Sequence, residues 1–397
     1  MLNSSTRTRQ QIRYVEAADG ARLAWATSGE GPVIVKAANW LTHLQYEWEN
    51  PVWKHWIRFF STQGRLVRYD ERGCGMSDWR GGALSLEQWS ADLHAVIEAA
   101  VPAGPLTLLG ISQGAATCIR YALDHPERVA RLILYGGYAR GASRRHSPTA
   151  EAAYRAMIDL ARVGWGSQNE TFRQVFTSRF IPGGTREQLG WFNELCAKTT
   201  TGEVIASLFK ARSVVDISQL LGHVRVPTLV LHARADEVIP VAEGRLLASG
   251  IPGAEFVELD SRNHILLEHE PAWQHLQEAV RSFLVPGAAT HASVFAGLSA
   301  REREVLVLMG PRVLGLAVVQ INFIVNVNLT SGMAEGSRAA LVRMADAMQW
   351  SALRAPSAQL ASGTGHICAG PSACPVRVMS PLRAHARQGS MSSGPSD

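Results

Sequence analysis

Cysteine is scarce: there are five in 397 residues, scattered with no close pairing and no metal-type spacing. That excludes a disulfide-built scaffold and a cysteine metal cluster. Charge is scarce as well, at 18% of residues against 46% hydrophobic ones. This balance excludes global disorder and supports a sizeable core. The opening stretch MLNSSTRTRQQIRYVEAADG lacks the apolar run of a signal peptide, so the expectation is a cytoplasmic, reduced protein. No fixed-period repeat stands out. The net charge of +5 is uneven, since residues 310–397 hold seven arginines against Glu335, Asp346 and Asp397. The remainder is close to neutral, so basicity gives no reason to expect nucleic acid on the main body.

What is present is an alternation of strand and helix signals. IRYVEAADGARLAWATSG reads as two strands joined at Asp19-Gly20, a hairpin turn pair. PVIVKA, RLVRY, LTLLG, RLILYG, VPTLVLHA and AEFVELD read as further strands. LSLEQWSADLHAVIEAA has helical spacing after Ser85, with Glu87 in its first turn, and AATCIRYALDHPERVA reads as a helix. Such alternation predicts an α/β fold, a mostly parallel central sheet flanked by helices. From about residue 139 to 220 the strands stop and four helical blocks follow, predicting a mostly helical insert in the strand pattern. Met157, Phe172, Phe176, Trp191 and Phe209 are candidates to line a pocket there, each with ordinary helix packing as its alternative.

One turn carries chemistry. In LLGISQGAATC, Gly110 and Gly114 bracket Ser112 between a strand and a helix. In G-x-S-x-G the serine occupies a tight, strained turn that lifts its Oγ above the sheet edge. Glycines there avoid side-chain collision where strand and helix approach. The backbone N–H of Gln113, at the helix N-terminus, is placed to stabilise an oxyanion. A serine hydroxyl needs a base and an acid to orient that base. Asp236 follows the strand VPTLVLHA and His264 follows AEFVELD, both at carboxyl ends of strands, where ligands collect in such sheets. The alternatives are a helix-capping role for Asp236, an idle loop position for His264, and His269, at or inside the next helical segment, as a competing base.

Residues 12–285 resemble the α/β-hydrolase superfamily, through LVRYDERGCGMSD, LLGISQGA, DHPERVARLILYG, RADEVIP and NHILLEHEP. The resemblance implies Ser112 as nucleophile, His264 as general base and acid, and Asp236 as the residue orienting His264, and it implies that the helical insert at about 139–220 is a cap over the serine. The Trp-rich run NWLTHLQYEWENPVWKHWIRFFS is similar to hydrolase-like domains that bacteria attach to LuxR-type regulators and nucleotide cyclases. One departure stands out. Where the family usually has His-Gly after the third strand, this chain reads Ala37-Ala38-Asn39. Asn39 is then expected to supply the second oxyanion N–H, with Trp40 in the pocket. Tyr46, Trp48, Trp53 and Trp56 are expected mostly in the core. The implied substrate is a small acyl compound, an ester, thioester or lactone, with no cofactor and no metal.

These readings place a hydrolase domain at 1–286, a linker at 287–297 and a truncated start of a LuxR-type helix-turn-helix at 298–309, where LSAREREVLVLMG resembles its first helix. Ser299 caps that helix, with Glu302 as capping-box partner. Pro311 then breaks it, and residues 310–397 read as disordered or as a shifted reading frame. Gln320, Asn322, Asn326 and Asn328 interrupt the apolar run there, which argues against a membrane span. Three functions stay open: a serine hydrolase, a hydrolase-like ligand sensor, and a transcription regulator with an incomplete DNA-binding module. Specific DNA binding is not expected of this chain, and nothing in the sequence bears on its oligomeric state.

Overall fold

The computed structural model describes residues 10–39, 41–79, 84–145, 147–166 and 170–284. The expected pocket residue Trp40, the 287–297 linker, the 298–309 helix and the 310–397 tail lie outside the described residues.

Strands β1 (Gln11–Glu16) and β2 (Arg22–Ser28) form the expected hairpin, with Gly20 at φ 85 in its turn. They are followed by β3 (Val33–Lys36), β4 (Arg65–Tyr69), β5 (Leu106–Ile111), β6 (Val129–Tyr135), β7 (Thr228–Ala233) and β8 (Glu255–Leu259). The eight strands make one sheet in the order β1-β2-β4-β3-β5-β6-β7-β8. Only the β1–β2 and β2–β4 pairings are antiparallel. All six residues of β5 and all six of β7 are buried, which is why those strands read as unbroken apolar runs rather than alternating ones.

Helices α1 (Leu44–Glu47), α2 (Lys54–Gln63), α3 (Leu86–Ala100) and α4 (Gly114–Asp124) flank the first half of the sheet. The side chain of Ser85 caps α3 by accepting from the Gln88 N–H, as its sequence signature predicts. Helix α4 is shorter than expected: it stops at Asp124 because Pro126 cannot continue it. The aromatic run packs inward as expected for most of its members. Trp53 and Trp56 are core residues, with Trp56 4.7 Å from the Trp273 ring and 4.9 Å from that of Tyr135. Tyr46 and Trp48 are half-buried.

Between β6 and β7 the chain runs through α5 (Pro148–Gly164), α6 (Thr171–Phe180), α7 (Arg186–Thr199) and α8 (Gly202–Ser213). This insertion is pinched at its base, where Gly141 N–H donates to Val215 O at 2.7 Å and Ile217 N–H to Ala139 O at 2.9 Å. Helices α9 (Val241–Gly250) and α10 (Pro271–Leu284) complete the fold. His269 lies in the turn before α10 and is exposed, not inside the helix.

Candidate active site

Ser112 has φ 54, one of two non-glycine residues in the left-handed region among the described residues. An L-residue tolerates that conformation only where its surroundings impose it. Here β5 and α4 impose it. A Cβ on Gly110 would lie 2.7 Å from Ala115 Cα, and one on Gly114 would lie 3.2 Å from Ala38 O. The Ser112 N–H donates to Tyr135 O at 2.8 Å, and Ala115 N–H donates to Ser112 O at 3.1 Å, which locks the turn from both sides. Gln113 is the N-cap residue of α4, so its N–H stands at the positive end of that helix.

The structure brings Ser112, His264 and Asp236 together. His264 Nε2 lies 3.0 Å from Ser112 Oγ, and His264 Nδ1 lies 2.6 Å from Asp236 Oδ2. The carboxylate accepts the Nδ1 proton, which leaves Nε2 to accept from the serine hydroxyl. Asp236 does not cap α9, whose N-cap is Pro240. Its other oxygen instead accepts from the N–H groups of Val238 at 2.8 Å and Ile239 at 2.9 Å. Burial alone would raise the pKa of Asp236, but His264, His232 and the Ile239 N–H outweigh it and hold the carboxyl below its ordinary value. His264 is fixed by the insertion: Phe180 O, at the end of α6, accepts from His264 N–H at 2.8 Å, and the Phe180 ring stands edge-on to the imidazole at 5.3 Å. Gly136, at φ 56, leaves room behind the imidazole, since a Cβ there would lie 3.1 Å from His264 Cε1.

The loop after β3 is tied to a buried polar cluster. Asn39 is buried, and its side-chain oxygen accepts from Lys36 Nζ. Burial pulls the Lys36 ammonium down to about 8. Beyond Asn39 the chain turns through Leu41, the second non-glycine residue with positive φ, at 55. Asp70 holds the next turn by accepting from Leu44 N–H at 2.9 Å and Met76 N–H at 2.8 Å. Its own burial pushes its pKa up to about 7.

Ser112 and Gln113 open onto a cavity of about 720 Å³, including its mouth. Leu41, Met157, Phe180, Leu208, Phe209 and Ile239 supply much of its apolar wall. Of the expected lining residues, Met157 and Phe209 are there. Phe176 stacks behind Phe209 at 5.9 Å, Trp191 packs against Tyr46 at 5.5 Å, and Phe172 packs on Gly164. The polar part of the wall had no sequence signal: Glu71, Tyr138, Arg145, Tyr154, Arg179 and Arg212 come from four separate segments. Glu71 and Arg212 form an ion pair in which both side chains are buried. Among the described residues, no group of three or more His, Cys, Asp or Glu is placed to hold a metal, and no helix is long and apolar enough to cross a membrane.

A mostly parallel eight-stranded sheet with a serine turn after its fifth strand is the architecture of an α/β-fold hydrolase. More specifically, residues 53–271 match the family described as serine aminopeptidase, S33, and the chain belongs to that family. The pyrrolizixenacetamide deacetylase of Xenorhabdus hominickii is 24% identical over 266 residues, 67% of this chain and 95% of that protein. The pimeloyl-[acyl-carrier protein] methyl ester esterase of Nitrosomonas europaea is 28% identical over 240 residues, 58% of this chain and 88% of that protein. In the solved structure of an esterase from Exiguobacterium antarcticum the same fold recurs, with a TM-score of 0.59 at 21% identity over 69% of this chain and 99% of its own.

Proposed function

We propose that this chain is a serine hydrolase of small acyl compounds, an ester, thioester or lactone, working through a covalent acyl-enzyme. The observation that carries the reading is the continuous relay from Ser112 Oγ through His264 to Asp236, at 3.0 and 2.6 Å, at the head of a largely apolar cavity. Relatives named as a deacetylase and a methyl ester esterase support acyl transfer as the reaction class.

In this reading, Ser112 Oγ attacks the carbonyl carbon as its proton passes to His264 Nε2. The carbonyl oxygen becomes an oxyanion, stabilised by the Gln113 N–H and the Asn39 N–H. The tetrahedral centre collapses, the leaving group departs with the proton from His264, and the acyl group stays on Ser112. A water then attacks the acyl carbon, gives its proton to His264, and the acid leaves as that proton returns to Ser112 Oγ. Asp236 keeps the imidazole in the tautomer that each step requires and balances the imidazolium. Phe180 and the insertion limit the water around His264, which strengthens these charge interactions.

A fluorophosphonate probe tests this directly. Labelling of the wild-type chain that disappears in Ser112→Ala supports an activated nucleophile. Failure to label the wild-type chain would sink the hydrolase reading in favour of a ligand sensor that keeps the geometry without turnover.

A further inference from the structure

The cavity wall carries three guanidinium groups, Arg145, Arg179 and Arg212, against the single carboxylate of Glu71. Glu71 is already paired with Arg212. Arg145 and Arg179 are therefore two cations in excess at the cavity that holds Ser112. Arg179 points one Nη to Glu237 O at 2.8 Å, near the surface. Arg145 is the more enclosed. Its Nε donates to Arg140 O at 2.8 Å, and its guanidinium lies 5.3 Å from the centre of the Tyr138 ring. Among the described residues no carboxylate forms an ion pair with it. Glu243, the acid whose charge acts on it most, is bound by Arg140 at 2.9 Å. Burial lowers the Arg145 pKa, the sign of a cation held away from water. A partly buried guanidinium that lines a cavity without a carboxylate partner is stabilised by an anion that shares the site.

The rest of the wall says what the anion is attached to. Arg145 and Ser112 share this wall with the apolar side chains of Phe209, Leu208, Ile239 and Met157. That combination suits a short hydrocarbon chain with a charge at its far end. We infer that Arg145 forms a subsite for a carboxylate borne by the substrate, so that the preferred substrate is an ester or lactone whose acyl chain ends in a second, ionised carboxyl group. The planar fork of arginine binds a carboxylate through two parallel hydrogen bonds, and Arg179 adds longer-range attraction at the mouth. The inference rests on the hydrolase reading for its assay, and a binding measurement makes it testable without turnover.

Two p-nitrophenyl esters of equal chain length provide the assay: the mono-p-nitrophenyl ester of glutaric acid, which is anionic, and p-nitrophenyl valerate, which is neutral. The wild-type chain is expected to favour the anionic ester in kcat/KM by about tenfold or more. Arg145→Gln should lower kcat/KM for the anionic ester about 10- to 100-fold more than for the neutral one, chiefly through KM. Arg145→Lys, which keeps the charge, should recover part of the preference. A purely structural role for Arg145 would depress both esters equally. Equal kcat/KM for the two esters in the wild-type chain, or an unchanged ratio in Arg145→Gln, would overturn the inference. Calorimetric titration of Ser112→Ala with monomethyl glutarate and with methyl valerate separates the two readings. Tighter binding of the monoanion, abolished by adding Arg145→Gln, supports the subsite even if the wild-type chain hydrolyses neither ester. Equal binding of the two compounds refutes it even if the fluorophosphonate labels Ser112.

Discussion

Replacing Gly110 by alanine adds one methyl group at the closest approach of β5 and α4. The new Cβ would stand 2.7 Å from Ala115 Cα, 2.9 Å from Ala115 N and 3.0 Å from Gly114 C, all backbone atoms that no rotamer change can move. To reach the 3.4 Å of ordinary contact from 2.7 Å, the start of α4 must retreat by the difference, 3.4 − 2.7 = 0.7 Å. Overpacking of this kind costs about 1–3 kcal/mol of stability. The same retreat carries the Gln113 N–H and the Ser112 Oγ with it. A misplacement approaching ~1 Å at the reacting atoms costs about 10²-fold in rate, so a 0.7 Å shift should lower kcat about tenfold to a hundredfold. Gly190 is the control. It lies within α7 with nothing within 4 Å of a built Cβ, so Gly190→Ala should stabilise by about 0.5–1 kcal/mol through reduced chain entropy, with kcat unchanged. Urea unfolding and steady-state hydrolysis of p-nitrophenyl butyrate measure both variants. Gly110→Ala with a wild-type unfolding midpoint and wild-type kcat would show that the turn does not depend on this contact.

Asp236→Asn should lower kcat by about 10⁴-fold while the fold persists, because the amide can stabilise the wrong imidazole tautomer; a rate within tenfold of wild type would mean that another group orients His264. Buried Asp70 has a folded pKa raised to about 7 from 3.8, so its contribution to stability is fully present below the unfolded value and is lost as pH rises through about 7. The stability difference between the wild-type chain and Asp70→Asn should therefore shrink between pH 5 and pH 8 in urea titrations, and a pH-independent difference would contradict the buried, proton-binding state of this carboxyl.

Much of this protein was legible because the relevant physics is local. Buried parallel strands read as apolar runs, Ser85 with Glu87 announced the start of α3, and Gly110 and Gly114 marked a strand–helix turn too tight for a side chain. The chain order of Ser112, Asp236 and His264 was visible because each follows a strand, and parallel strands deliver their carboxyl ends to one edge. Local signals misjudged details, such as the helix that ends at Asp124.

Sequence periodicity and turn chemistry thus determined the sheet, its order of elements and the residues worth testing, because each depends on neighbours within one helical turn or one strand. Tertiary structure alone decided the distances of 3.0 and 2.6 Å that join the three residues and the left-handed backbone at Leu41. It also decided the character of the cavity. Glu71 and Arg212 are 141 residues apart in sequence and share no local pattern, yet they meet as a buried pair. Arg145 has no carboxylate partner among the described residues, and the nearby Glu243 is engaged by Arg140 across 103 residues of chain. The first pairing depends on how α8 folds back over the loop after β4, the second on how α9 packs against the segment after β6, and no run of adjacent residues encodes either placement.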